Sequence, residues 1–302
     1  MSPDVSGAYA YCERLARTHY ENFPVASRLV PARMRPHIAA IYAFARIADD
    51  MADEGDRPAA ERLADLDRWG DRLDAALAGA APPADEHAAV FVALAHSIRT
   101  CRLPVSLLHD LLSAFRQDVH VTRYASWDDL LDYCRRSANP VGRLVLRVAG
   151  YDRPDLDAAS DAVCTALQLT NFWQDLGIDW RRGRLYVPDA IWQAHDARTE
   201  DLDAGRMTPA WRAALAESTV RTRQLFARGA AVADGVNGRL RLELRATWLG
   251  GTRILDKLER SAFDPLAHRP SLSRTDVPGI AWGMLTWAVA GPPRTADQGH
   301  RG

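Results

Sequence analysis

Two stretches of this chain carry side chains whose types and spacing could hold a cation. The first is Ile41-Tyr-Ala-Phe-Ala-Arg-Ile-Ala-Asp-Asp-Met-Ala-Asp-Glu54. On a helix, Tyr42, Arg46, Asp49 and Asp53 step by four, three and four residues and share one face. Carboxylates one turn apart sit about 5–6 Å from each other at Cβ and repel, at a cost to the helix. A divalent cation removes that cost, and magnesium takes oxygen ligands, often one or two carboxylates completed by substrate phosphates. The second stretch is Ala166-Leu-Gln-Leu-Thr-Asn-Phe-Trp-Gln-Asp-Leu-Gly-Ile-Asp179, in which Gln168, Asn171, Asp175 and Asp179 fall at i, i+3, i+7 and i+11. This is a polar stripe on an otherwise apolar helix. Buried in a bundle it needs partners: metal, water, a phosphate group or a closed network of core hydrogen bonds. Arg181, Arg182 and Arg184 follow directly. They could close over a diphosphate as forked donors, or flank a solvated loop.

Spacing alone does not select these stretches, because the chain has five D-x-x-x-D pairs. Asp67/Asp71 lies among Arg68, Arg72 and Asp74 and reads as a solvated face. Asp128/Asp132 and Asp157/Asp161 read as helix starts, where the dipole favours acids. Asp49/Asp53 and Asp175/Asp179 differ in their apolar setting. Together with the arginines they form a coherent device. Carboxylates would hold Mg²⁺, Mg²⁺ and arginine would hold a diphosphate, and an apolar cavity would hold a hydrocarbon. The metal would draw charge onto the leaving group, and ring faces would stabilise the carbocation left behind. Phe23, Tyr42, Phe44, Tyr133, Phe172 and Trp173 are the aromatic candidates, although each type is more often plain core. His19 stands alone near the N-terminus, more in the manner of a surface histidine than a ligand. The segment from Tyr133 to Arg143 joins two helices, with Pro140 suited to a first turn. HExxH, P-loop, GxGxxG and GxSxG motifs are absent from the sequence.

The elements that must position these residues are helices. Alanine, leucine and arginine abound, alternating strand-type runs are nearly missing, and apolar residues recur at helical spacing, as in Ile38, Ile41, Tyr42, Ala45 and Ala48. The pattern predicts helices near 5–21, 33–54, 58–79, 85–100, 104–118, 126–136, 139–149, 155–180, 208–234, 239–262 and 277–290, with loops at Pro82-Pro83, Arg153-Pro154 and Arg181–Pro188. The expectation is one all-α domain over 1–290, its helices around a central apolar cavity, and a disordered tail at 291–302. The 302 residues carry 38 basic and 39 acidic side chains, a net charge of -1, which argues against nucleic acid as partner. Cys12, Cys101, Cys134 and Cys164 form no CxxC pair, which fits a reduced, cytoplasmic chain. The polar N-terminus reads as no signal peptide, and the apolar run Val277–Ala290 is too short to span a bilayer. Peripheral contact with the inner face of a membrane stays open, as does the oligomeric state.

Four pieces now read together: Tyr42 to Asp53, Tyr133 with Asn139-Pro-Val-Gly142, Gln168 to Asp179, and Gly183-Arg-Leu-Tyr-Val-Pro188. In this order, over roughly residues 10–265, they resemble the squalene/phytoene synthase family of head-to-head prenyl synthases. Glu21-Asn-Phe-Pro-Val-Ala-Ser27, Ser137 to Arg143, Leu169 to Asp175 and Arg253-Ile-Leu-Asp-Lys-Leu-Glu259 are most similar to its bacterial branch of hopanoid pathways. Asn22-Phe23 stands where many members carry Ser-Phe, a departure from plain phytoene synthases. The resemblance implies an all-α isoprenoid synthase fold. It implies that Asp49, Asp53, Asp175 and Asp179 bind Mg²⁺ and diphosphate, with Asn171 beside the second metal group and Arg46, Arg184 and Tyr186 near the diphosphate. His19, Tyr42, Tyr133 and Gln168 match further active-site positions. The implied substrate is presqualene diphosphate, ionised, rearranged and captured by water as hydroxysqualene without a nicotinamide cofactor. Two alternatives remain in view: condensation of prenyl diphosphates to presqualene diphosphate or phytoene, and a non-catalytic assembly factor, which would be expected to lose acids that this chain keeps.

Overall fold

A computed structural model describes residues 4–18, 29–53 and 57–287. His19, the segment Glu21–Ser27 and the tail from 291 onward therefore lie outside the described residues. Among those described the chain is all-α, as expected, with no strand beyond an isolated parallel bridge between Arg123 and Leu185. The helices are α1 (Val5–Thr18), α2 (Arg35–Asp53), α3 (Ala59–Leu77), α4 (Ala88–Cys101), α5 (Val105–Asp118), α6 (Trp127–Ser137), α7 (Asn139–Val148) and α8 (Pro154–Arg181). They continue with α9 (Asp189–Ala194), α10 (Thr199–Asp203), α11 (Pro209–Gly229), α12 (Ala231–Gly235), α13 (Gly238–Arg260) and α14 (Val277–Leu285).

Local chemistry sets many boundaries. Ser126 and Asp129 form a reciprocal capping box at the start of α6. Prolines occupy the first turns of α7, α8, α11 and α14, where no backbone donor is lost. Two features differ from the sequence expectation. Helices α9 and α10 fall between the helices predicted to end near 180 and begin near 208, because six and five residues are too few to show a helical period. The single helix expected over 208–234 is two, broken at Ala230. At the break Gly229 meets α8 so closely that a Cβ would lie 2.5 Å from Val163 Cγ2 and 2.7 Å from the Ala159 carbonyl.

Packing leaves polar faces where the site forms. Ile41, Phe44 and Ala48 of α2 pack with Trp69, Phe91 and Leu111 in one apolar cluster. Leu169, Trp173 and Leu176 of α8 pack with Trp211, Phe226 and Leu258 in a second. Full burial of each leucine, isoleucine or phenylalanine among them stabilises by about 1.5–3 kcal/mol relative to exposure. Trp173 is fully buried and donates its indole N–H to Thr222 Oγ1 at 2.8 Å. With those faces fixed, the acids of α2 and α8 must point elsewhere. None of the described helices is long and apolar enough to cross a membrane.

Candidate active site

Both acidic pairs sit at the C-terminal ends of their helices. Asp49 and Asp53 lie in the last two turns of α2, and Asp175 and Asp179 in the last two of α8. That end of a helix carries partial negative charge and disfavours carboxylates, so each pair needs cations. Arginines supply some. Arg46 reaches Asp50 at 2.6 Å and Asp49 at 3.6 Å along α2. Arg184 grips Asp53 with both Nη atoms, at 2.6 and 3.1 Å. Its Nη2 also donates to the Asp118 carbonyl at 3.3 Å. Arg269 makes a forked pair with Asp175, Nη2 to Oδ2 being 3.2 Å. Asn171 Nδ2 donates to the same Oδ2 at 3.0 Å.

A tight turn brings Arg184 to α2. The chain leaves α8 through Gly183, whose φ of 78° suits a residue without a Cβ. The Arg184 N–H then returns to the Asp179 carbonyl at 2.9 Å, and the Leu185 N–H pairs with the Thr122 carbonyl at 2.9 Å. Arg184 thus connects residues 131 apart in sequence, and hydrogen bonding to Asp53 holds its guanidinium more firmly charged.

Asp49 and Asp179 feel their surroundings. Burial, then the Asp53 carboxylate, pushes Asp49 up to about 6. Burial, then Asp175, pushes Asp179 up to about 7, with Asp53 adding to the repulsion and Arg184 and Arg182 opposing it. The two acidic stripes therefore sense each other. Six carboxylates (Asp49, Asp50, Asp53, Asp118, Asp175 and Asp179) lie among four guanidiniums (Arg46, Arg182, Arg184 and Arg269).

Sequence reasoning missed Asp118, Arg269 and Tyr124. Asp118 is buried and pushed up to about 7 by that burial, against the hydrogen bond it accepts from the Tyr133 hydroxyl at 3.0 Å. Its signal was legible: it is an acid closing α5 at the end where the dipole opposes one. Arg269 and Tyr124 carried no such mark. Above Asp118 the aromatic rings cluster. Phe172 and Tyr186 stack at 3.6 Å, and Tyr133 lies 6.2 and 6.4 Å from them, with Tyr124 beside Tyr133 and Tyr186. Burial raises the Tyr133, Tyr124 and Tyr186 hydroxyls well above their ordinary value, so all three stay protonated donors.

The structure thus brings together Arg46, Asp49, Asp53, Asn171, Asp175, Asp179, Arg184, Tyr133 and Tyr186. Tyr42 is buried one turn before Arg46, and Gln168 half-buried one turn before Asn171. Two aromatic candidates belong to the core instead. Phe44 is fully buried, 5.8 Å from Trp69 and edge-on to Phe91 at 6.3 Å, and Trp173 is fixed by Thr222. Phe23 lies outside the described residues. Arg181 and Arg182 are exposed at the end of α8, and of the three clustered arginines Arg184 is the one that grips a carboxylate of the stripes. Clefts lined by Trp192 and Arg198 (about 620 Å³) and by Met34 and Tyr151 (about 310 Å³) contain none of these residues.

Comparison with known proteins agrees with this geometry. The family model described as squalene/phytoene synthase matches residues 16–276. A hydroxysqualene synthase of Zymomonas mobilis is 37% identical over 266 residues, 87% of this chain and 86% of the relative. One of Rhodopseudomonas palustris is 37% identical over 90% of this chain and 91% of the relative. The crystal structure of squalene synthase HpnC from Alicyclobacillus acidocaldarius superposes with a TM-score of 0.80 at 39% identity, covering 88% of this chain and 98% of that one. A dehydrosqualene synthase shares the fold with a TM-score of 0.82 at 21% identity, covering 95% and 98%. An all-α fold, two facing acidic stripes and relatives at this identity over most of the chain give one conclusion: the chain belongs to the squalene/phytoene synthase family.

Proposed function

We propose that the chain is a Mg²⁺-dependent hydroxysqualene synthase that converts presqualene diphosphate to hydroxysqualene. The observation that carries this reading is the pair of carboxylate stripes joined through Arg184, in a chain 37% identical to hydroxysqualene synthases over nearly its whole length.

The donor set suits magnesium. All four stripe acids offer hard oxygens, and with Asp50 and Asp118 beside them the carboxylates outnumber the neighbouring guanidiniums. Among the described residues no three His, Cys, Asp or Glu side chains converge to enclose a metal by themselves. Magnesium needs no such cage, since it keeps waters and completes its shell with substrate phosphates. In this reading Asp49, Asp53, Asp175 and Asp179, with Asn171, hold Mg²⁺ and through it the diphosphate. When bound, Mg²⁺ supplies a Lewis acid for the charge developing on the leaving group. Arg46 and Arg184 donate to diphosphate oxygens as forked cations, and Tyr186 adds a neutral hydroxyl. His19, outside the described residues, keeps the role its family match implies.

The reaction breaks the carbon–oxygen bond to diphosphate, with both electrons leaving on oxygen. The cyclopropylcarbinyl cation rearranges beside the rings of Tyr133 and Phe172, with Tyr42 and Gln168 lining the approach. Water then donates an oxygen lone pair to the cation, and its proton is lost to give the alcohol. Asp118 holds the Tyr133 hydroxyl in place from below.

The test is product analysis with purified protein, presqualene diphosphate and Mg²⁺, with and without reduced nicotinamide cofactor. The expected result is a C30 alcohol in equal yield either way. Product from farnesyl diphosphate alone, with no presqualene diphosphate added, contradicts the proposal.

A further inference from the structure

Most surface helices turn an apolar stripe inward and a polar one to water. Helix α14 is apolar on both sides. At 100° per residue its inner arc, extended one turn, holds Ile280, Gly283, Met284 and Trp287. Gly283 lies so close to α13 that a Cβ would come within 3.0 Å of Leu249 Cδ1. Trp287 is buried, meets Trp248 edge-on at 5.1 Å and donates its indole N–H to Asp234 at 3.2 Å. The opposite arc presents Val277, Pro278, Ala281, Trp282 and Leu285, all exposed. Trp282 is 68% exposed and Leu285 79%. With Leu272, four of the five large apolar side chains that stand exposed among the described residues lie between positions 272 and 285.

Within the strap and α14 the charge has one sign, and the exposed acid beside them, Asp234, is paired with Arg245 at 2.9 Å. Between Leu266 and Trp287 the one acid is Asp276, which is buried and held by Lys257 Nζ at 2.5 Å and Arg253 Nε at 3.0 Å. The exposed ionic groups of the stretch are Arg269 and Arg274. The same strap begins at the active site. Leu266 lies over Gly177 of α8, and Arg269 grips Asp175. Leu272 is three residues beyond Arg269, at most about 11 Å along the chain.

We infer that α14 is an interfacial helix that lays its bare arc into the headgroup boundary of an anionic lipid bilayer. Such a boundary takes up tryptophan and aliphatic side chains and attracts flanking arginines. A second copy of the chain is a poorer occupant. A nine-residue helix presents far less than the roughly 800 Å² that each partner of a standard interface buries. Lipid docking of α14 sets the acidic stripes beside the surface from which a C30 prenyl diphosphate arrives. That benefit rests on the substrate proposed above, whereas lipid binding itself is measured without substrate, so either reading can fail alone.

The experiment is co-sedimentation of the full chain with vesicles of phosphatidylcholine, with or without one third phosphatidylglycerol. Trp282→Ser/Leu285→Ser and Arg274→Glu variants are run beside the wild type, and thermal transitions check their folding. The expected result is binding to anionic vesicles that falls at least about tenfold in the double serine variant and about threefold or more in Arg274→Glu. Undiminished vesicle binding by a folded double variant overturns the inference. So does loss of self-association in that variant with unchanged vesicle binding, which assigns the arc to a second copy.

Discussion

Helix α8 carries the same D-x-x-x-D spacing at both ends, and the two pairs behave differently. At its start, Asp157 and Asp161 face Arg147 and Arg143 of α7. Arg147 forks onto Asp157 at 2.9 and 2.6 Å, and Arg143 onto Asp161 at 2.9 and 2.5 Å. Each acid has its own guanidinium, and the helix dipole favours Asp157 in the first turn. At its end, Asp175 and Asp179 meet an opposing dipole. Arg269 covers Asp175, while Asp179 is pushed up to about 7 by burial and by its neighbour. Spacing places two carboxylates on one face. Whether they staple two helices or wait for a cation depends on the end of the helix and on the count of arginines opposite.

The largest expected effect breaks the second pair. Asp175→Asn or Asp179→Asn should cost about a thousandfold or more in turnover, as metal-borne charge stabilisation worth several kcal/mol is lost. For Asp179→Asn, which breaks no ion pair with arginine, the thermal midpoint in EDTA should hold or rise, because a repulsion is removed. The same substitution in the first pair should do the reverse. Asp161→Asn should leave turnover within about threefold yet lower stability by about 2 kcal/mol in urea titrations, the scale of a charged hydrogen-bond pair. A smaller loss, about 1 kcal/mol, is expected for Tyr133→Phe, which removes the one hydroxyl donating to buried Asp118. Its turnover should fall while Mg²⁺ binding stays intact.

The smallest effect is on pH dependence. Asp49 at about 6, and Asp118 and Asp179 at about 7, hold protons in the folded protein that the unfolded chain releases near pH 4. Their contribution to stability is therefore complete below about pH 4 and lost as pH rises through about 7. In EDTA the thermal midpoint should be higher at pH 5 than at pH 8. Added Mg²⁺ should raise it chiefly at pH 8, where the acids are bare. A midpoint in EDTA that climbs from pH 5 to pH 8 would mean that the stripe acids are already neutralised by arginine.

Much of this was legible in the sequence, for reasons that also mark where legibility stops. The stripes of α2 and α8 follow from a 3.6-residue period, which survives in any bundle that uses those helices. The period even separates Tyr42 from Phe44 and Asp175 from Trp173, since neighbours two apart point nearly opposite ways. Arg269 was illegible because its strap approaches Asp175 from 94 residues away with no periodic pattern. Asp118 meets Tyr133 through the packing of α5 against α6, which no single helix predicts. The break at Ala230 depends on how near α8 passes.

The central claim is that the two pairs on α8 have different work. Calorimetric titration of Mg²⁺ with an unreactive diphosphate tests it directly, using wild type, Asp161→Asn and Asp179→Asn. The account predicts matching binding by the wild type and Asp161→Asn, and loss of binding in Asp179→Asn. Unchanged binding in Asp179→Asn, or equal loss in both variants, would contradict it.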